Sequence, residues 1–505
     1  MRLRKSTSRA ATTACATVLL AAASLTTASG AQPRDEKTLT AAPLATWQTD
    51  GIVWSVEYAR GVVYVGGTFD SVRPPGAEPG EREVVRKNFA AFDAVTGKLL
   101  PCEHSFTGGM DTVRALKASP DGKVLYVGGS FGHVDRTGVA SAVALNTADC
   151  SLRKDFRPAM GALVRAIETT GRTVYLGGEF TVVDGQSRKR VAAFTPSGSL
   201  LPFSADIDEP VRAVLAAPDR GQVLVGGDFH NVNGRPEQSL VSLDPATGAT
   251  VRSFPDWVPE RSAVTSLARN GDHFYLGAEG SGTGIFDGRI AGRLSDGAMV
   301  WKDTCLGATQ DVVVHKGVLY SASHAHYCGL TPGGFPDGAR RHFLAQSADD
   351  KRILHWFPDT DDGIGEKVGP RTLVMAGDIL WAGGEFTAVN GTPQQGLTRF
   401  GAGPLDTAPQ EAPRLTSDGS RTGKVTLIWR ASWDRDDAEL TYRIYRDGVL
   451  VATRKQRSAE WYRPEMSYTD EVSPGSQHRY TIAVTDGKNT TPRSAPLDVT
   501  AFAAK

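Results

Sequence analysis

The chain has 505 residues, too many for one ordinary hydrophobic core, so two or more domains are expected. Lys+Arg and Asp+Glu both total 56, which leaves no bulk basic field of the kind that neutralises nucleic-acid phosphates. After the opening segment no apolar run is long enough to cross a bilayer, which excludes a helical membrane anchor.

Residues 1–31 read as a secretory signal peptide. Arg2, Arg4 and Lys5 form a basic start, Ala16 to Leu25 a short apolar run, and Ala28-Ser29-Gly30-Ala31 a small-residue cleavage site. Cys15 lies before the apolar run, so no lipoprotein signal is read. The mature protein is expected to be secreted, extracellular, soluble and monomeric. Residues 32–42 are a linker. The cysteines beyond the signal peptide are Cys102, Cys150, Cys305 and Cys328, an even set in an oxidising compartment. Three pairings remain open, of which Cys102–Cys150 with Cys305–Cys328 is the most local.

From residue 43 one phrase keeps returning. "VVYVGGTFDSV" starts at Val62, "VLYVGGSFGHV" at Val124, "YLGGEFTVVDG" at Tyr175, "QVLVGGDFHNVNG" at Gln222 and "ILWAGGEFTAVNG" at Ile379. "HFYLGAEG" from His273 and "VLYSASHAH" from Val318 are altered copies. The spacing of about 45–62 residues suits four-stranded propeller units. A strand such as Val164-Arg165-Ala166-Ile167 precedes each Gly-Gly strand. A third follows, as in "RVAAFTPSG" from Arg190, and then a short fourth, as in "SLLPF" from Ser199. The glycines allow close backbone approach, and Phe69, Phe131, Phe180, Phe229 and Phe386 are expected to fill the layer between units. The "VDG" and "VNG" endings suit tight turns. A phosphate-cradling glycine loop would occur once, so this motif is read as structural.

The reading is all-β, a seven-bladed β-propeller over residues 43–403. "GLTRFG" from Gly396 has no fourth strand after it, and "PLATWQTDG" from Pro43 stands where one would be, so the N-terminus is expected to close the last blade. The repeat resembles the delta-60-type β-propeller repeats of secreted bacterial proteins, a likeness that implies the fold and leaves function open.

Residues 404–412 form a proline-bearing linker, and the texture changes after it. "KVTLIWRAS" from Lys424, "TYRIYRDGVLVAT" from Thr441 and "QHRYTIAVTDG" from Gln477 carry alternating strands over residues 413–503. With Trp429, Tyr442 and Tyr480 at core positions, this segment resembles a fibronectin type III domain. The resemblance implies a spacer or adhesion unit.

Three constellations bear on chemistry. Arg114, Arg165, Arg212 and Arg371 repeat in the first strands. They either ring a channel mouth, as ligand-binding groups for carboxylated or sulfated ligands, or pair with Glu179, Asp228 and Glu385 of their own units. His324 and His326 with Cys328 have the alternation of a metal set, but a disulfide from Cys305 would remove the thiolate, so no metal is assigned, and the two histidines are read as surface or channel-mouth ligand-binding groups, or as acid or base in the enzyme alternative. Asp359 and Asp361, with Glu366, surround a glycine turn and are the one place where Ca2+ is considered. No G-x-S-x-G elbow, no H-E-x-x-H and no selected carboxylate pair is read.

The expected function is therefore non-enzymatic binding of an extracellular polysaccharide or protein, without nucleic acid and without a cofactor. A glycoside hydrolase or polysaccharide lyase at the channel mouth, and a cell-wall structural protein, are the alternatives. The altered fifth and sixth units are the first place to seek a site.

Overall fold

The computed structural model describes residues 38–418 and 421–503. The signal peptide and most of the linker after it lie outside the described residues. Among the described residues the regular structure is strand throughout, apart from one 3-10 turn at Pro218–Arg220.

Seven antiparallel sheets follow one another between Ile52 and Gly401. Their first strands are Ile52–Ala59, Thr112–Ala118, Val164–Thr169, Val211–Ala217, Ser262–Asn270, Thr309–His315 and Pro370–Ala376. Each pairs with a Gly-Gly strand or its altered copy, and that strand pairs with a third. No sheet closes on itself. The sheets meet instead through their first strands, each against the next and the last against the first.

The glycines account for how closely they meet. A Cβ on Gly177 would stand 2.5 Å from Val211 Cγ1 of the next sheet, and one on Gly383 would stand 2.3 Å from Val53 Cγ1. The second glycine answers to its own sheet, since a Cβ on Gly178 would meet the Leu163 carbonyl oxygen at 2.2 Å. Phe69, Phe131, Phe180, Phe229 and Phe386 are all buried, as expected. In the "VDG" turn Asp184 and Gly185 take left-handed φ values of 49° and 75°, and the hairpin Val182–Val183 with Gln186–Ser187 closes around them.

Side chains also stitch one first strand to the next. Leu116 N donates to Ser55 Oγ (3.0 Å), Val312 N to Ser266 Oγ (3.2 Å), Leu373 N to Asp311 Oδ2 (2.7 Å) and Val56 N to Thr372 Oγ1 (3.2 Å). Ala115, Ala166 and Ala213 hold the equivalent places elsewhere and leave those seams apolar.

The fourth strands are short. Thr250–Ser253 and Met299–Lys302 are regular, while single bridges such as Phe92–Leu99 and Phe194–Leu200 serve in other sheets. In the seventh sheet the bridge runs from Phe400 to Pro43. Thr40 N donates to the Gly401 carbonyl and Leu44 N to the Arg399 carbonyl, both at 2.8 Å. The N-terminal segment thus completes the last sheet. Cys102–Cys150 and Cys305–Cys328 are bonded, the most local of the three pairings.

Beyond the linker, Thr416–Asp418, Lys424–Arg430 and Glu465–Glu471 form one sheet. Glu439–Arg446, Val449–Arg457, Gln477–Thr485 and Leu497–Thr500 form another. A single core containing Leu427, Trp429, Tyr442, Ile444, Tyr480 and Ile482 lies between them. The alternation read from the sequence is the reason, since every second residue of each strand points inward. This unit docks on the sixth sheet's flank, where Trp461 packs on Phe335 and Phe357 and where Phe357 N donates to the Arg435 carbonyl (2.9 Å).

Candidate functional site

Every first strand carries a β-bulge at the same place. The bulged residues are Trp54, Arg114, Arg165, Arg212, Thr265, Gln310 and Arg371. A bulge re-aims the extra side chain out of the pleat. The four arginines singled out in the sequence are therefore brought together near one end of the ring of first strands. Trp54, Thr265 and Gln310 share their position and were not singled out, because no common chemistry links them to arginine.

Three of the arginines are neutralised within the fold. Arg165 Nε donates to Glu179 Oε1 (2.8 Å) and Arg212 Nε to Asp228 Oδ2 (2.8 Å). Arg371 Nη2 donates to Glu385 Oε1 (3.2 Å) and Glu366 Oε2 (2.9 Å). Arg212 also reaches across to Glu279 of the next sheet, which accepts in turn from Gln310 Nε2 (2.9 Å).

Arg114 differs. Its unit has Ser130 where the others have an acid, and no carboxylate is paired with it among the described residues. Its guanidinium lies 3.5 Å from the centre of the Trp54 ring, and the Arg371 guanidinium lies 4.3 Å from the same ring. Burial, and then the charges of Arg165 and Arg371, pull Arg114 down to about 9. It stays cationic at neutral pH, and an incoming anion would relieve both penalties.

One turn of the pleat further along, Glu57, Lys117 and Glu168 stand side by side on the first three first strands. Lys117 Nζ lies 3.2 Å from Glu168 Oε2. Lys117 is deep in the molecule, yet 34% of its side chain is open to solvent. Its field reaches Asp311 of the sixth sheet across the axis. Burial pushes Glu57 up to about 7, against the pull of Lys117, and pushes Asp311 up to about 6.

These shifts set a pH dependence. Between about 4.5 and about 7 folded Glu57 holds a proton that the unfolded chain has released, so its contribution to stability falls as pH rises through that window. The melting-temperature difference between Glu57→Gln and the parent is expected to grow in the variant's favour from pH 4.5 to pH 7, then level off. A difference independent of pH would refute the assignment.

The remaining sequence candidates do not join this ring of bulged residues. His324 takes the place of the acid in the sixth sheet, where its Nε2 accepts from Ala308 N (3.2 Å) and burial lowers it to about 4. His326 Nδ1 lies 3.2 Å from the His324 carbonyl, and Cys328 is in its disulfide, so the three do not form a metal set. Asp359 is engaged with His342 Nδ1 (3.0 Å), and Asp361 accepts from Thr387 N (2.6 Å) and Ala388 N (3.0 Å). Gly128-Gly129-Ser130-Phe131-Gly132 does have elbow spacing. Its serine, however, ends a strand of a hairpin with no helix behind it, and Ser130 Oγ accepts from Met110 N (3.2 Å).

The altered fifth and sixth units meet through a buried polar seam. Arg289 stands where other third strands begin with Phe89, Ala142, Val191 or Leu240, and Thr309 stands where other first strands have Val113, Val164, Val211 or Val264. Arg289 Nε donates to Asp303 Oδ2 (2.6 Å), and its Nη1 approaches Thr309 Oγ1 (3.4 Å) and Ser321 Oγ (3.5 Å). The divergence seen in the sequence is here an ion pair inside the fifth sheet that faces polar groups of the sixth.

A family model described as "Domain of unknown function (DUF5122) beta-propeller" matches residues 172–200, from the Gly-Gly strand of the third sheet through its third strand to the bridge at Leu200. The molecule is a β-propeller protein. No curated protein matches the chain. Among solved structures, the computationally designed Ika8 protein is similar at 13% identity and a TM-score of 0.43, over 79% of this chain and 98% of that one. Sqt1 of Saccharomyces cerevisiae is similar at 9% identity and a TM-score of 0.41, over 72% and 98%. For the β-propeller protein, no helix among the described residues is long and apolar enough to cross a membrane.

Proposed function

We propose that the chain is a secreted, non-enzymatic binding protein. It is read as a seven-bladed propeller over residues 43–403 followed by a fibronectin type III-like spacer over 413–503. Its ligand is an acidic extracellular glycan that seats a carboxylate or sulfate on Arg114. The observation that carries this reading is the unpaired state of Arg114. The other three repeated arginines have carboxylates within their own sheets, while Arg114 offers its donors beside an aromatic ring. Guanidinium and carboxylate or sulfate match in a two-pronged geometry.

Titration of the mature protein with uronate-bearing, sulfated and neutral polysaccharides tests the proposal. Arg114→Ala is expected to lose roughly tenfold to a hundredfold in affinity for the acidic polymer, the worth of a charge-assisted hydrogen bond. Its melting temperature should hold or rise, because a buried cation has been removed. Equal affinity of variant and parent would sink the assignment of Arg114. Absence of any glycan binding would move the search to protein partners, and release of reducing ends would favour a hydrolase or lyase.

A further inference from the structure

Five aspartates from three separate parts of the chain converge where the C-terminal pair of sheets meets the propeller. Asp406 comes from the linker. Asp434, Asp436 and Asp437 come from the loop between strands Lys424–Arg430 and Glu439–Arg446. Asp486 comes from the turn after Gln477–Thr485. One oxygen from each of Asp406, Asp437 and Asp486 lies within 4.8 Å of the others, and the same holds for Asp434, Asp436 and Asp437. Asp437 belongs to both sets.

Asp434 is the informative member. It is only 1% exposed. Its Oδ1 accepts from Thr407 Oγ1 (2.6 Å) and Asp436 N (3.1 Å), while its Oδ2 is buried with no hydrogen-bond partner. A buried carboxylate oxygen left unpaired is costly, and the neighbouring groups are themselves carboxylates. Asp436 Oδ2 accepts from Ala41 N (2.6 Å), and its Oδ1 lies 2.5 Å from Thr407 Oγ1, whose single proton serves only one of the two aspartates. The nearby cation is Lys488, 3.0 Å from Asp406, with 62% of its side chain in solvent. Arg435 turns away to the Phe357 carbonyl (3.0 Å), and His355 Nε2 donates to the Asp434 carbonyl (2.9 Å), so neither neutralises the carboxylates.

We propose that Asp434, Asp436 and Asp437, backed by Asp406 and Asp486, form a calcium site that locks the C-terminal unit to the propeller. The donors are all hard oxygens, with no imidazole or thiolate, which selects calcium over zinc or copper. The site touches the N-terminal segment through Ala41, the linker through Thr407 and the sixth sheet's flank through Phe357. A bound ion would therefore order the joint as a whole.

The test is calorimetric titration of the mature chain with calcium chloride, together with thermal melts in calcium and in a chelator. Calcium at a hundredfold excess over its dissociation constant should raise the melting temperature by roughly 3 °C. Asp437→Asn should abolish that rise without melting lower than the parent in chelator, because it removes a like charge. Terbium luminescence sensitised by Trp433, next to Asp434 in the chain, gives a readout independent of stability and should vanish in Asp434→Asn. No heat and no shift in the parent would overturn the proposal. A calcium shift that survives both variants but is lost in Asp359→Asn would overturn it as well.

Discussion

Arg289→Met is expected to destabilise the protein by about 3–5 kcal/mol, the usual cost of stranding one member of a buried ion pair. Arg289 and Asp303 are both 0% exposed. Asp303 also accepts from Gln346 Nε2 (3.3 Å) and from Arg289 N (3.3 Å), hydrogen bonds too few and too long to carry an unpaired charge. The pair lies inside the fifth sheet and faces Thr309, Ser321 and Gln346 of the sixth, so the loss should appear in the main unfolding transition in urea. Arg289→Met with Asp303→Asn removes the stranded charge and should recover at least half of the loss. If the double variant is no better than the single one, charge is not the cause, and lost packing of the arginine stem is.

A chain beginning at Asp50 is expected to be less stable by roughly 5 kcal/mol or more and to associate through its open edge. The deleted segment supplies Leu39, Ala41, Thr46, Gln48 and Thr49, all buried. It also satisfies Arg399, whose Nε donates to Thr46 Oγ1 (3.1 Å) and whose Nη1 donates to the Val95 carbonyl (2.9 Å) of the first sheet's unit. Gln48 Oε1 accepts from Arg73 Nη2 (3.0 Å) and from Gln395 N (3.0 Å), one side chain tying the first unit to the last. Adding the peptide of residues 38–49 back in trans should restore part of the melting temperature and the monomer. A shortened chain that stays monomeric and melts within about 2 °C of the parent would contradict the closing role.

Much of this was legible in the residues because the repeat makes each unit a control for the others. The co-occurrence of Arg165, Arg212 and Arg371 with Glu179, Asp228 and Glu385 allowed for pairs, while the lone state of Arg114 came only with the structure. The missing fourth strand after "GLTRFG" pointed to Pro43. What stayed hidden depends on contacts between units or on distant segments. The Arg212–Glu279 contact crosses from one sheet to the next, so comparison within units misses it. Trp54 occupies an arginine's place, but only the bulge reveals the equivalence. Glu57, Lys117 and Glu168 each look like an ordinary polar residue of a strand until three adjacent strands bring them together. The aspartates lie as far apart as positions 406 and 486, and no local spacing announces them. The acidic turn at Asp359 and Asp361 drew attention through its density of charge, yet those carboxylates serve as acceptors for their own neighbours.

The pairing of Pro43 with Phe400 also imposes an order in time. The residues that complete the last sheet are among the first to be made, and their partners are among the last made before the linker. Asn390 Nδ2 donates to the Ala41 carbonyl across 349 positions of chain. Until the seventh sheet exists, the N-terminal segment has no edge to join, and the ring must be assembled around an absent keystone. The entropy of so long a closure grows only with the logarithm of its length, so the equilibrium cost is modest. The kinetic cost is larger, because contacts this distant form late. The same feature that completes the last sheet is expected to make its closure a late step of folding.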